Sequence, residues 1–226
     1  MYSICQAPLL YVLLMPLSLA YEKRLWRQGY LAVAGVDEVG RGAWAGPLVA
    51  AAVMLNHATR HKLRGLNWVS QVADSKLLSP LKRQAIAAAC GGVVGFAYGV
   101  VNNKVIDEQG VAQANQRAVQ LAIMNLHSAP QFTLVDYVAR LGNRVAGVPA
   151  ITVVDGDAKV FCIALASILA KVERDRLMTI YDARYPGYGF AKHKGYGTLQ
   201  HSRALRKQGV CALHRVTYRP VAAFLV

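Results

Sequence analysis

Apolar and polar residues along this chain fall into runs whose length and period predict most of its elements. Residues 31–36 are short and almost wholly apolar, the pattern of a buried strand. Pro47 to Leu55 is a second such run, reached through a glycine-rich turn over 40–46. Ser79 and Pro80 open a helix through Ala89, with Ser79 as N-cap and Pro80 at the first helical position, and Gly91-Gly92 ends it. Val93 to Val101 reads as a third strand. Over 104–127 apolar residues recur at helical spacing (Val105, Val111, Ala114, Ala118, Leu121, Ala122, Leu126). Phe132 to Val135 and Ile151 to Val154 are two further short strands. Ala158 to Tyr181 is a long, largely apolar helix broken by Pro186-Gly187, and the remainder reads as one or two short helices with loops. Strands come first and then alternate with helices. That order predicts an α/β fold, a central mixed sheet flanked by helices, followed by a small C-terminal cap. The 226 residues suit one large domain with a sizeable core, and no linker separates the cap from the sheet.

The first 20 residues stand apart. The run Leu9 to Leu14 lies between Pro8 and Pro16, and Ser18-Leu19-Ala20 resembles a cleavage point. Yet no Lys or Arg precedes the run, and it is too short to span a bilayer. An amphipathic helix begins at Tyr21-Glu22-Lys23-Arg24-Leu25-Trp26. The expectation is an extension over 1–20 that is disordered or lies upstream of a true start at Met15; a signal peptide is the alternative.

Charge narrows the partner. Twenty-six basic residues face 12 acidic ones, a net charge of +14. A polyanion is implied, either nucleic acid or a membrane surface, against the plain alternative of a solubilising basic surface. After Asp182 there is no acid at all. That tail carries Arg184, Lys192, Lys194, Arg203, Arg206, Lys207, Arg215 and Arg219, interleaved with Tyr185, Tyr188, Phe190, Tyr196 and Tyr218. Cations mixed with aromatics suit phosphate contact and stacking, which favours nucleic acid. The four cysteines Cys5, Cys90, Cys162 and Cys211 form no C-x-x-C pair, so neither a zinc site nor a disulfide framework is expected, and a reducing cytosol fits. Cys90 and Cys162, in apolar helical contexts, read as buried thiols.

In so basic a chain the placement of the few acids is informative. Three apolar strands end in acids: Val36 before Asp37-Glu38, Val135 before Asp136, and Val154 before Asp155-Gly156-Asp157. Strand ends at one edge of an α/β sheet converge, and ligand sites gather there. Such carboxylates suit a divalent metal acting on a phosphodiester. Strand-end Asp residues also form turns. Neighbouring residues of a regular strand point to opposite faces, so Asp37 and Glu38 share a site only if the strand ends or bulges there; Gly40 and Gly42 make that irregularity plausible.

Gly35-Val36-Asp37-Glu38-Val39-Gly40-Arg41-Gly42, Ala45-Gly46-Pro47 and Asp74-Ser75-Lys76 closely resemble the opening of the type 2 ribonucleases H, the ribonuclease HII family. The resemblance continues through Gly156-Asp157-Ala158, Ala166-Ser167-Ile168-Leu169-Ala170-Lys171-Val172, Arg174-Asp175 and Met178. It ends with Tyr185-Pro186-Gly187-Tyr188-Gly189-Phe190, His193-Lys194-Gly195-Tyr196-Gly197-Thr198, His201 and His214-Arg215. It spans roughly 21–221. It implies a ribonuclease H-like catalytic domain over 21–183, a basic substrate-binding cap over 184–226, and four metal-binding, catalytic carboxylates at Asp37, Glu38, Asp136 and Asp157. Gly40, Arg41 and Gly42 then match the family's Gly-Arg-Gly motif, and Tyr196 the tyrosine that cooperates with it. Two departures stand out: Tyr137 follows Asp136 where the family has Gly, and Asp155 precedes Gly156 where it often has Lys. Asp157 matches the motif and is preferred to Asp155 as ligand.

The activity so implied is cleavage of the RNA strand of RNA–DNA hybrids and nicking at ribonucleotides embedded in duplex DNA, leaving 5′-phosphate and 3′-hydroxyl ends. Two Mg²⁺ or Mn²⁺ ions would clamp the scissile phosphate. The 2′-hydroxyl separates RNA from DNA; a glycine-flanked turn brings backbone groups against it, and Tyr196 would stack on the neighbouring deoxyribose. Lys76 and Lys171 are candidate phosphate contacts, with a solvated lysine and a structural partner as the respective alternatives. Asp175 reads as a helix-surface charge partner. His193, His201 and His214 are scattered in sequence and do not read as a metal cluster. A cytoplasmic monomer with no membrane partner is expected. Other ribonuclease H-like nucleases, such as junction resolvases, and a non-catalytic nucleic-acid-binding protein are the rivals.

Overall fold

In a computed structural model, residues 17–136 and 142–225 are described. The expectations for 1–16 and for the turn at Tyr137 lie outside them.

The apolar run after Tyr30 forms β1 (Ala32–Val39), and β2 (Leu48–Asn56) returns beside it with an unbroken antiparallel register from Ala32↔Asn56 to Val39↔Val49. β3 (Gly95–Val101) adds to β2 antiparallel. On the other side β4 (Phe132–Asp136) pairs parallel with β1 from Val33↔Phe132 to Val36↔Val135. The two-residue β5 (Arg144–Val145) turns into β6 (Val148–Val153), which lies parallel to β4. The order is β3-β2-β1-β4-β6-β5, a mixed sheet as expected. β5 is too short to leave a period in the sequence.

Strand alternation sends two sets of side chains to opposite faces. Val33, Ala51, Val53 and Leu134 join one core with Phe161, Leu165 and Ile168; Ala34, Val36, Ala50, Ala52 and Val135 join another with Ala114, Ala118 and Ala122. The short helices α1 (Ala20–Arg27) and α2 (Thr59–Lys62) and the helix α3 (Pro80–Cys90) belong to the first side, where the Ser79 hydroxyl accepts from Lys82 N as the sequence predicts. The second side is covered by α4 (Asn103–Met124), capped by Asn102 and interrupted at Gly110 (φ 79°).

The stretch read as one helix from Ala158 is two. α5 (Gly156–Lys159) is a single turn entered through Asp155 in the left-handed region, and Val160 is extended (φ −120°, ψ 121°) before α6 (Phe161–Arg184) begins. Val160 has no capping side chain, and the buried Glu22 of α1 takes that role across the fold by accepting Cys162 N–H at 2.9 Å. The break sets Asp157 at the sheet edge while α6 crosses β1. At the crossing a Cβ on Gly35 would lie 2.5 Å from Cys162 Sγ, so only glycine admits the helix there.

The C-terminal segment forms α7 (Phe190–His193), α8 (Leu199–Gln208) and α9 (Arg219–Ala222). Tyr188, Phe190, Leu205 and Leu213 make a third small core with Ala45 and with Met178 of α6, so the cap packs on the sheet domain. Cys90 and Cys162 are buried free thiols and Cys211 is a partly buried one.

Candidate active site

Asp37, Asp136 and Asp157 each offer a carboxylate oxygen within 4.8 Å of the other two, the one such group of potential metal ligands among the described residues. The strand-end pattern is what assembles it. Asp37 stands one residue past the last β1–β4 pair, Asp136 ends β4, and Asp157 follows β6 on α5. Asp136 Oδ1 accepts Gly156 N–H at 2.8 Å, tying the β4 end to the turn that carries Asp157. Asp155 points elsewhere: it is exposed and pairs with Lys159 at 3.5 Å.

The expected bulge at Asp37-Glu38 is absent. The β1–β2 ladder runs regularly through both residues, because β2 pairs with β1 as far as Val39 and holds the pleat. Asp37 therefore faces α6 and Glu38 faces the α4 side, outside the 4.8 Å group. Glu38 remains within reach of the cluster's charge. Burial, then Asp37 and also Asp136, push its carboxyl up to about 7, against Arg41, whose Nη1 lies 3.4 Å from Glu38 Oε1. Asn115 of α4 is buried beside Glu38 and its amide lowers the carboxyl's pKa, although neither Glu38 Oε2 nor that amide makes a hydrogen bond of good geometry among the described residues. Burial also raises Asp37 to about 6, opposed by the Ser167 hydroxyl and the charge of Lys171. Two buried acids held above their ordinary range beside two more form a site with surplus negative potential.

Lys76 and Lys171 answer that potential in different ways. The Lys76 ammonium donates to Asp157 Oδ2 at 2.9 Å from a largely exposed side chain. Lys171 is largely buried and donates to the hydroxyls of Ser75 at 2.5 Å and Ser167 at 2.9 Å; burial lowers its pKa while Asp37 raises it. These bonds tie it to the fold, and it also lines the depression described below. Within the Asp74-Ser75-Lys76 loop, Ser75 is fully buried and bonded to Ser167 while Lys76 is exposed. Asp175 pairs loosely with Arg83, at 3.9 Å.

The Gly-Arg-Gly turn is held from beneath. Gly40 has φ 98°, and a Cβ on it would meet the Arg174 side chain. Arg174, only 1% exposed, donates to the carbonyls of Pro47, Lys194 and Ala45, and its guanidinium lies 5.2 Å from the Tyr196 ring centroid. Arg215 donates to the carbonyls of Gly46 and Arg41, and Tyr218 Oη donates to Arg41 O at 2.6 Å. The Arg41 carbonyl is thus fixed while its side chain is exposed; Gly42 has open space around it. Arg215 is fully buried and Tyr188 and Phe190 stack on each other in the cap core, so these three do not meet a ligand as the tail's composition suggested. Arg184, Lys192, Arg203, Arg206, Lys207 and Arg219 are exposed. Sequence reasoning missed the stapling role of Arg174 and Arg215 because nearly all of their acceptors are backbone carbonyls far away along the chain. A depression of about 310 Å³ runs from Val39 and Lys171 past Arg174, Lys192 and Lys194 to Tyr196, which is 38% exposed. It lies between the Val39 end of β1 and the cap, and none of the four acids lines it. No described helix is long and apolar enough to cross a membrane.

Comparison with known proteins gives this geometry its relatives. A family profile described as ribonuclease HII matches residues 34–221. A ribonuclease HII of Dehalococcoides mccartyi is 45% identical over 203 residues, covering 89% of this chain and 92% of its own, and one of Herpetosiphon aurantiacus is 44% identical over 214 residues, covering 93% and 100%. The ribonuclease H2 of Pyrococcus horikoshii OT3 superposes with a TM-score of 0.70 at 26% identity, over 85% of this chain and 96% of that one. Bst-RNase HIII, solved in complex with Mn²⁺, shares the fold at 22% identity, with a TM-score of 0.65 over 87% and 70% of the two chains. With the profile spanning the sheet, the acid-bearing strand ends and the cap, the chain belongs to the ribonuclease HII family, metal-dependent endonucleases that hydrolyse the RNA strand of RNA–DNA hybrids.

Proposed function

We propose that this ribonuclease H also nicks duplex DNA at single embedded ribonucleotides, leaving 5′-phosphate and 3′-hydroxyl ends, with Asp37, Glu38, Asp136 and Asp157 as its catalytic metal ligands. The observation that supports the reading is the acid cluster of Asp37, Asp136 and Asp157, beside a depression lined at one end by Val39 and by Lys171, whose charge acts on Asp37, and at the other by the half-exposed Tyr196. The donor set fits hard divalent cations. It is all oxygen, and three of its atoms lie within 4.8 Å of one another. A pair of Mg²⁺ or Mn²⁺ ions bound there with substrate would polarise the scissile phosphate and acidify the attacking water.

The chain's own groups do the rest. Asp37, Asp136 and Asp157 would hold the cations, and Glu38 would complete the set. Lys76, already on Asp157, has the reach to follow a phosphate oxygen; Lys171 keeps Asp37 ionised. The Gly40–Gly42 turn, with the Arg41 carbonyl fixed by Arg215 and Tyr218, presents rigid backbone groups to a 2′-hydroxyl. Tyr196, braced by Arg174, is the platform for the deoxyribose that follows. The exposed cations of 184–226 make this segment the substrate-binding cap on the catalytic domain of 21–183, working as a cytoplasmic monomer. The test is kcat/KM on a duplex with one ribonucleotide and on a continuous hybrid, each with Mg²⁺ or Mn²⁺. Tyr196→Ala should lose roughly 5-fold or more on the first relative to the second, the scale of one stacking interaction. Equal losses would make Tyr196 a packing residue.

A further inference from the structure

His193, His201 and His214, distant in sequence, are neighbours in the cap. The His193 and His201 rings stack with centroids 4.4 Å apart, and His201 Nε2 lies 3.0 Å from His214 Nε2. All three are buried. They are not a metal site: no grouping of them with Cys, Asp or Glu among the described residues offers three converging ligand atoms. What they touch instead is the backbone on both sides of Tyr196.

The proton positions follow from the partners. The Tyr196 carbonyl, 3.0 Å from His201 Nδ1, only accepts, so Nδ1 carries the proton and Nε2 is bare. The facing His214 Nε2 must then donate, which leaves His214 Nδ1 bare to accept Cys211 N–H at 3.0 Å. Cys211 O, 3.2 Å from the same Nδ1, would take a proton only by setting two lone pairs against each other between the rings. His193 is fixed likewise: Nε2 donates to Tyr188 O at 2.8 Å and Nδ1 accepts Gly195 N–H at 3.2 Å. Each ring is neutral with one tautomer. Burial drives His201 down to about 4 and lowers His214 too, in keeping with neutral rings.

We propose that His193, His201 and His214 are positioning residues, a relay of fixed tautomers that holds the Gly195 N–H and the Tyr196 carbonyl and so fixes the Tyr196 ring at the border of the depression that runs to Lys171. The remaining bonds of this loop agree. Gly195 O accepts from Trp44 N and Ala45 N, next to the Gly-Arg-Gly turn, and the Trp44 ring lies 5.5 Å from that of His201. The consequence for selectivity rests on Tyr196 reading the junction, as proposed above.

The test has two parts. Long-range ¹H–¹⁵N correlation spectra of the whole protein near neutral pH should report His201 protonated on Nδ1 and His193 and His214 on Nε2. A different tautomer or a charged ring overturns the relay, whatever Tyr196 does. His201→Asn keeps a donor where Nδ1 stood, whereas His201→Leu removes it. The Leu variant should lose roughly 5-fold in kcat/KM at a single embedded ribonucleotide relative to a continuous hybrid, the equivalent of one buried neutral hydrogen bond, and Asn should restore most of it. Parallel losses on both substrates, with Asn no better than Leu, overturn the positioning role. If Tyr196→Ala alters the substrate ratio and His201→Leu does not, the relay fails and the Tyr196 reading stands. If neither alters it while the tautomers are as stated, the reading of Tyr196 has failed.

Discussion

Replacing Asp37 by Asn should stabilise the metal-free protein while abolishing cleavage. Asp37 is buried, and its carboxyl is raised from 3.8 to about 6, chiefly by that burial. Between pH 4 and 6 the folded state therefore holds a proton that the unfolded chain has released. The contribution to stability is complete below pH 4 and is lost as pH rises through 6. By pH 8 the loss is about 3 kcal/mol. Asn carries no charge to desolvate, yet it leaves Lys171 without the charge that offsets its own burial. The net gain should be about 1–2 kcal/mol at pH 8, a rise in Tm of roughly 3–6 °C for a chain of this size, and it should vanish near pH 4. Thermal unfolding in EDTA at the two pH values measures it. Added Mn²⁺ should then raise the Tm of the wild type and have much less effect on the variant, since ligand carboxylates couple metal binding to folding. An Asn variant that is less stable at pH 8, gains equally at pH 4, or still cuts a hybrid at near wild-type rate would refute the assignment of Asp37.

Other outcomes follow from the same geometry. Arg174→Lys should cost about 2–4 kcal/mol in urea unfolding, because one ammonium cannot serve the carbonyls of Ala45, Pro47 and Lys194 from a buried position; a change below about 1 kcal/mol would show that the staple is dispensable. Glu22→Ala should cost about 1–3 kcal/mol by leaving Cys162 N–H unpaired, whereas Glu22→Gln, which keeps the acceptor and removes a desolvated charge, should be close to neutral. Equal losses would mean that α1 matters only by packing. A chain started at Met15 should fold and cleave at full rate, checked by circular dichroism and hybrid cleavage, since the Glu22 bond keeps α1 within the fold. Hybrid affinity should fall steeply with salt, and Arg203→Ala with Arg206→Ala and Lys207→Ala should flatten the slope by about 2–3 in log–log terms, near 0.9 for each phosphate no longer neutralised; an unchanged slope would remove α8 from the interface.

The strands, the long helices and the acids at strand ends are legible in the amino-acid order, because those signals are local. Apolar runs, a capping Ser-Pro and an Asp after a run of Val are read within a few residues. The family motifs, including the cap, are legible for the same reason. Four features are not. Glu38 parts from Asp37 because β2 holds the pleat as far as Val39, a matter of pairing partner that Asp37-Glu38-Val39-Gly40 cannot express. The helix after Asp155 divides at Val160 because its second half takes its cap from Glu22, 140 residues away. The basic tail looks uniform in sequence, yet burial divides it: Arg215 turns inward to backbone carbonyls while Arg203, Arg206 and Lys207 remain in water. The three histidines are the sharpest case. Their spacing suggests no relation, and only the packing of the cap brings two ring nitrogens to 3.0 Å. Hydrogen-bond geometry and desolvation depend on which groups meet in space, and distant groups meet only once the chain has folded.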